Sequence, residues 1–274
     1  MDFNKEKFVH RASEWQPIST YKQRHIFRKG KYVDIVEYKI PTKITNNKGK
    51  KLLWFSDLHL WGNLKVDEKI AEESSLFIND LSPDYLVYGG DLVMYSSALP
   101  MVRDFFQSLP ESRKLAILGN WEYAKKWLTV EDWDKFFTDC DFKLLINESC
   151  EFDNFFFYGT DDLRRGKPSS PVNIPQNKEI IFLAHSPDAY IHICDSDIAS
   201  LKTLVLCGHT HGGQVRLPFY GALLTSSRYW RKFDYGHFTN SKNASNMIVS
   251  SGLGCSTFPI RFGCRRELVL VSFV

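Results

Sequence analysis

The chain holds 274 residues, 43% apolar and 24% charged, with a net charge of +3 and six cysteines. That composition is ordinary for a globular protein, and the length is near the upper limit for one hydrophobic core, so a single sizeable domain is the economical reading. No apolar run approaches the ~18 residues that span a bilayer, the first residues lack the apolar stretch of a secretory signal, and the cysteines show no CxxC spacing; a soluble cytoplasmic protein with free thiols is expected.

The charge is unevenly placed. Residues 1–31 carry eight Lys or Arg against three acids, a net +5, and Phe8, Val9, Ala12 and Trp15 fall at helical spacing among them. The expectation is a basic N-terminal extension whose helix packs on the flank of a domain spanning 32–274. Peripheral contact with an anionic membrane is the alternative. Tyr32 to Ile40 alternates as a strand does, and Asn46 to Lys50 reads as a turn. Leu52 to Phe55 is a buried-strand run, Val66 to Leu81 a helix, Tyr85 to Tyr88 a strand, Leu99 to Leu109 a helix and Lys114 to Leu118 a strand. Val130 to Asp139 is helix-like, and Phe142 to Ile146 and Glu151 to Tyr158 are strand-like. Glu179 to Leu183, Thr203 to Leu206, Met247 to Ser250 and Leu268 to Val274 complete the strands. Alternation of strand and helix in the first half indicates βαβ units with a parallel sheet, and the strand-heavy second half a second sheet.

Five of these strands run into residues that bind metals. They are followed by Asp57-Leu58-His59, by Gly89-Gly90-Asp91, by Gly119-Asn120-Trp121-Glu122, by Ala184-His185-Ser186 and by Gly208-His209-Thr210-His211. Reactive residues at the carboxyl ends of strands are where open α/β folds place their sites. Asp57 and His59, two apart, project to one side if the backbone is extended. Asp91 follows two glycines that let the chain turn sharply, and its two oxygens can bridge two cations. Asn120 adds an amide oxygen, and His185, His209 and His211 add imidazole nitrogens. Mixed nitrogen and oxygen ligation suits Mn, Fe or Zn better than Mg or Ca. Each piece alone is commonplace, but all five in order, each after an apolar strand, point to a two-metal hydrolytic site.

In that order the residues resemble the calcineurin-like metallophosphoesterases. The resemblance implies an α/β fold, a four-layer α/β/β/α sandwich of two mixed sheets flanked by helices. It also implies that Asp57, His59, Asp91 and His211 hold one divalent ion, and Asp91, Asn120, His185 and His209 a second. Gly208 to Pro218, Ser250 to Gly254, Pro259 to Phe262 and Glu267 are similar to the bacterial branch of YkuE- and YaeI-type phosphoesterases, with the likeness covering residues 32–274. Members of that branch include broad phosphodiesterases and pyrophosphohydrolases of UDP-diacylglucosamine, so a phosphate-bearing small molecule or lipid is the implied partner. The chain departs from the family at Trp121. There the family carries a histidine that contacts the phosphate and protonates the leaving group. An indole N–H donates hydrogen bonds but does not titrate near neutrality, and acid help is worth about 10²–10⁴-fold. Trp121 therefore favours a pyrophosphate or an activated diester over an alkyl monoester, or else stacks on the substrate. No catalytic side chain is assigned with certainty; His237 and Tyr123 are candidate proton donors, and Arg216 and Arg261 candidate phosphate clamps. The reading is hydrolysis of a phosphodiester or pyrophosphate by metal-bound hydroxide. The alternative is a catalytically weak, metal-bearing binding or scaffold protein. Nucleic acid is not expected as a partner, because no extended basic and aromatic interleaving stands out beyond the N-terminal stretch.

Overall fold

A computed structural model describes residues 11–19 and 24–274. Numbered along the chain, the strands of the first half are β1 (Trp15–Ser19), β2 (Ile26–Lys29), β3 (Val33–Ile40), β4 (Lys51–Phe55), β5 (Tyr85–Tyr88), β6 (Arg113–Ala116) and β7 (Lys143–Leu144). Then come β8 (Glu148–Phe152), β9 (Phe155–Gly159), β10 (Glu179–Leu183), β11 (Thr203–Cys207), β12 (Arg216–Leu217), β13 (Gly221–Ala222), β14 (Gly236–Asn240), β15 (Asn246–Val249) and β16 (Arg266–Phe273). The helices are α1 (Lys65–Leu81), α2 (Leu99–Gln107), α3 (Asn120–Lys125), α4 (Val130–Thr138), α5 (Pro187–Ile193) and α6 (Ser196–Ser200).

Two seven-stranded mixed sheets result, in the orders β2-β3-β16-β4-β5-β6-β7 and β1-β14-β15-β11-β10-β9-β8, with β12 and β13 forming a separate hairpin. The period of two along each strand divides its side chains between two apolar layers. In β4, Leu52 and Trp54 face the core between the sheets, with Val87, Leu115, Phe157 and Leu183, while Leu53 and Phe55 face the helices. The helix-side layer of the first sheet takes in Ile70, Ile78, Phe106 and Phe137. On the far side of the second sheet, Phe182 and Val205 pack with Tyr190 and Ile191 of α5. The layers therefore run α/β/β/α, as the resemblance implied.

Within each sheet the central strands run parallel: β4, β5 and β6 in one, β10, β11 and β15 in the other. The carboxyl ends of β4, β5, β6, β10 and β11 open into the ligand loops. The last strand, β16, returns to the middle of the first sheet, parallel to β3 and antiparallel to β4.

Two sequence expectations change. The aromatic run Glu151 to Tyr158 is a hairpin, in which Phe152 faces Phe155 across a turn where Asp153 takes φ 52°. Apolar content hid that turn, because Asp153-Asn154 is a turn signal only once the register is known. In the N-terminal extension, Phe8 and Val9 lie outside the described residues. Residues 11–13 are helical, but Trp15 opens β1 instead of continuing the helix. β1 pairs with β14, and β2 with β3, so this stretch supplies an edge strand to each sheet. Ala12 and Trp15 are buried, the indole set edge-on to Tyr190 with ring centroids 6.0 Å apart. No described helix is long and apolar enough to cross a membrane.

Packing is tight under the first ligand loops. A Cβ on Gly89 would come within 2.2 Å of the Trp54 ring. Gly89→Ala is accordingly expected to lower stability by about 1–3 kcal/mol, the usual cost of overpacking, measured as a fall in denaturant midpoint. An unchanged midpoint would show that Trp54 has room to yield.

Candidate metal centre

The seven residues meet where the two sheets present their carboxyl ends. Asp57 and His59 follow β4, Asp91 follows β5, and Asn120 follows β6 and opens α3. His185 follows β10, and His209 and His211 follow β11. Ligating atoms of Asp57, His59 and His211 lie within 4.8 Å of one another, as do those of Asp91, His185 and His209. Asp91 joins the two groups, since its Oδ2 lies 3.3 Å from Nε2 of His59 and 3.3 Å from Nε2 of His185. His211 Nε2 is 3.6 Å from Asp57 Oδ1, and His209 Nδ1 is 3.1 Å from His185 Nε2.

The backbone that achieves this is not extended. Asp57, His59, Asp91, His209 and His211 all have positive φ, between 38° and 69°. The left-handed region costs an L-residue roughly 1–2 kcal/mol, and such residues persist where their surroundings hold them. Here the first two loops bind each other: the Asp57 N–H donates to the Gly90 carbonyl at 2.8 Å and the His59 N–H to that of Asp91 at 3.1 Å. Asp57 and His59 thus converge through left-handed turns, not through the strand alternation expected from their spacing. The Asp57 carboxylate is held by Ser56 Oγ at 2.5 Å and by the His209 N–H at 3.0 Å.

Glu122 organises the other side, and sequence reasoning missed it. Buried in the first turn of α3, it accepts the N–H groups of Asp91 at 3.0 Å, Leu92 at 2.6 Å and Gly119 at 2.7 Å. One carboxylate thereby fixes both the Asp91 loop and the start of the Asn120 helix. Its position three residues after Gly119 is a helix-start signal. Burial raises its pKa, and Asp91 nearby raises it further.

The electrostatics divide the imidazoles. His185 Nδ1 donates to the Gly89 carbonyl at 2.8 Å, since a carbonyl only accepts, and Nε2 faces Asp91. Burial would lower the His185 pKa, but Asp91 outweighs it and holds it well above the ordinary range, so a cation bound there would have to displace the Nε2 proton. Burial lowers the His209 pKa to about 3, with His185 adding to the effect. Burial, His59 and Arg261 hold His211 well below the ordinary range. Neutral imidazole is the form that binds a cation. Burial alone would raise the Asp91 pKa, but His185 and His59 outweigh it and keep the carboxyl ionised.

The donor set fits divalent cations. Among the described residues, both ring nitrogens of His59 and Oδ1 of Asn120 are buried with no hydrogen-bond partner. A buried group left unpaired costs about 1–3 kcal/mol, and all three atoms belong to side chains at the same centre. Cations bound there would satisfy them.

Above the centre lies a cavity of about 450 Å³, lined by Asp91, Asn120, His209 and His211 and by Trp121, Lys125, Arg164, Arg165, Ser226 and Thr257, among others. Trp121 is in the wall, edge-on to His59 at 5.2 Å, with its backbone N–H donating to Asp91 Oδ1 at 2.8 Å. Lys125 is one helical turn on, its Nζ 4.6 Å from the Trp121 ring and 5.5 Å from that of Trp127. The cations at the rim are therefore Lys125, Arg164 and Arg165, not the expected Arg216 and Arg261. Arg216 binds Asp234 at 2.9 Å and the Gly212 carbonyl at 2.8 Å. Arg261 holds the carbonyls of Gly254 at 2.8 Å and Ser251 at 2.6 Å, and its Nη2 is 3.4 Å from His211 Nδ1. Neither lines the cavity.

The two candidate proton donors are also elsewhere engaged. The Tyr123 hydroxyl donates to Asp161 at 2.6 Å, and burial with Asp161 pushes its pKa up. His237 bonds Asn246 at 2.8 Å and borders a different cavity with Tyr38. A signal for the arginine pair was present in Asp161-Asp162-Leu163-Arg164-Arg165. Asp162 accepts the N–H groups of Arg164 at 2.8 Å and Arg165 at 2.7 Å, a tight turn that brings both side chains to the cavity, where Arg164 Nη2 donates to the Ser226 carbonyl at 2.6 Å.

A four-layer sandwich with aspartate, asparagine and histidine donors gathered at its strand ends defines a metal-dependent hydrolase. The calcineurin-like phosphoesterase profile matches residues 50–213, more than half of the chain, and the protein belongs to that family. It is 27% identical over 239 residues to the metallophosphoesterase YkuE of Bacillus subtilis, covering 82% of this chain and 79% of that one. It is 28% identical over 242 residues to the phosphodiesterase YaeI of Escherichia coli, covering 82% of each. A metallophosphoesterase of Aquifex aeolicus is 26% identical over 257 residues, covering 88% of this chain and 92% of that one.

Removing Glu122 tests the scaffold apart from any ion. Glu122→Ala leaves three buried N–H groups without their acceptor, and the metal-free protein is expected to lose roughly 3–5 kcal/mol of unfolding free energy. A loss below about 1 kcal/mol, the range of ordinary surface substitutions, would show that water replaces the carboxylate.

Proposed function

We propose that the protein hydrolyses a phosphodiester or pyrophosphate bond at a dinuclear centre. In this reading Asp57, His59, Asp91 and His211 hold one divalent transition-metal ion (Mn, Fe or Zn), and Asp91, Asn120, His185 and His209 hold the other. The observation that carries it is the Asp91 oxygen placed 3.3 Å from one imidazole of each group, on the floor of a cavity with a cationic rim. Ions bound there supply positive charge for a phosphate and acidify water for in-line attack.

The chain's own residues set which substrate is turned over. Lys125, Arg164 and Arg165 meet the negative charge of a phosphate entering the cavity, the arginines with the planar fork suited to its oxygens. Trp121 presents a flat apolar wall and no transferable proton. Substrates whose leaving group departs as an anion, a phosphate or an aryl oxide, suffer least from that loss. A nucleotide or lipid pyrophosphate, of the UDP-diacylglucosamine kind, satisfies both demands.

Elemental analysis of reconstituted protein is expected to find two ions per chain, and Asp91→Asn to lose most of one, because an amide carries no negative charge for two ions to share. A single ion in the wild type would reject the dinuclear reading. Full occupancy without turnover of bis(p-nitrophenyl) phosphate would favour the binding-protein alternative.

Kinetics on a leaving-group series address Trp121. Trp121→His is expected to speed diesters with alkyl leaving groups by up to ~10²-fold and nitrophenyl diesters much less. A uniform loss across the series would make Trp121 a structural or stacking residue. Lys125→Met is expected to raise KM about tenfold, the worth of one hydrogen bond to a charged group; an unchanged KM would remove Lys125 from the site.

A further inference from the structure

Half of the exposed large apolar side chains among the described residues lie in two short segments, 217–230 and 258–262. Leu224 is 71% exposed and Trp230 54%, while Phe258 is 67% exposed and Ile260 59%. The segments form one surface. The Arg216 N–H donates to the Phe262 carbonyl at 2.8 Å, and Gln214 Nε2 donates to the Phe258 carbonyl at 3.0 Å. That surface borders the metal cavity, since Ser226 and Thr257, from or beside these segments, line it. Contiguous exposed apolar surface of this kind marks an interaction site.

The charge around it has one sign. Residues 214–233 contain four basic side chains and no acid, and residues 250–266 contain three arginines and no acid. Several of these turn inward: Arg216 to Asp234, Arg261 to backbone carbonyls and Arg265 to Asp34. Lys232 is exposed, and Arg231 lies 4.5 Å over the ring of Tyr220, itself 52% exposed. Cations beside aromatic and aliphatic side chains are the pattern of a protein seated at a membrane interface. Aliphatic Leu217, Leu224 and Ile260 cannot stack on bases, and so few outward cations would give nucleic acid little phosphate contact.

We propose that this face docks the protein on an anionic lipid bilayer. Leu224, Trp230, Phe258 and Ile260 enter the headgroup boundary, Arg231 and Lys232 meet the lipid phosphates, and the mouth of the metal cavity lies against the membrane. The docking stands on exposure and charge and does not depend on the hydrolytic reading.

The test is flotation of the full chain with vesicles of phosphatidylcholine alone or mixed with phosphatidylglycerol. Wild type is expected to float with the mixed vesicles and to be released by high salt. Leu224→Ser/Phe258→Ser is expected to weaken partitioning by about tenfold or more, and Lys232→Glu to weaken it on mixed vesicles, with thermal midpoint and turnover of soluble bis(p-nitrophenyl) phosphate unchanged. Absence of flotation would overturn the proposal, as would equal partitioning to neutral vesicles. Flotation indifferent to the double variant but lost in Lys5→Glu/Lys7→Glu would move the contact to the N-terminal extension. A wild-type dimer or a single-stranded DNA complex that the double variant abolishes, without flotation, would make the face a protein or nucleic-acid interface instead.

Discussion

Two aspartates, Asp57 and Asp91, are buried at the centre of the molecule together with four imidazoles, and the rest of the structure follows from having to place them there. A carboxylate removed from water costs several kcal/mol unless it is paired and hydrogen-bonded. Pairing is supplied by His59 and His185 for Asp91, and hydrogen bonding by Ser56 and the His209 amide for Asp57. Even so, among the described residues neither ring nitrogen of His59 has a hydrogen-bond partner, although Nε2 lies 3.3 Å from the Asp91 carboxylate. A buried deficit of that kind is relieved by a bound cation, and on the proposed reading cation binding contributes to the free energy of folding.

Meeting that constraint requires five loops to arrive at one place, which the parallel central strands of two facing sheets provide. Strand direction alone is not sufficient, because side chains at a strand's end diverge onto opposite faces. The left-handed turns at Asp57, His59, Asp91, His209 and His211 redirect them inward. Glu122 carries the same logic one step back: it spends a buried carboxylate on three backbone amides instead of on a ligand. The loops are thus tied to one another before any ion arrives, as preorganisation of a charged site requires.

How much of this was legible in the sequence depends on the range of the forces involved. Buried strands such as Leu52 to Phe55 announce themselves locally, and the metal-binding residues after them repeat one short grammar five times. The edge strands β1 and β2 carry weaker patterns, since they are mostly exposed, and β1 takes its register from β14, far along the chain. Arg216 and Arg261 were misjudged because sequence gives a residue's charge but not its nearest counter-charge. Asp234 and the carbonyls of Gly254 and Ser251 claim them. Arg164 and Arg165 were overlooked for a related reason: Asp162 binds their backbone, and although Arg164 also donates to the Ser226 carbonyl at 2.6 Å, both side chains line the cavity. The apolar face divides between two segments about thirty residues apart along the chain, so its continuity exists only after folding.

The tryptophan and the docking face are consistent with each other on physical grounds. On the proposed reading, an indole where a titratable ring would stand removes a proton donor and gives a larger apolar wall, which alone would be a loss. Beside it, Lys125 is held among three rings, at 4.6 Å from Trp121, 5.5 Å from Trp127 and 5.9 Å from Tyr95. A cation set on aromatic faces sheds mobility, so on the proposed reading it is placed to oppose a departing anionic oxygen by its charge. A pyrophosphate offers such an oxygen at low cost. If one side of that pyrophosphate bears acyl chains, a cavity of about 450 Å³ has room for the phosphates and part of a headgroup only. The chains must then stay in the bilayer while the phosphorus reaches the centre. An apolar, basic face at the cavity mouth is what that geometry demands, and this fold places one there.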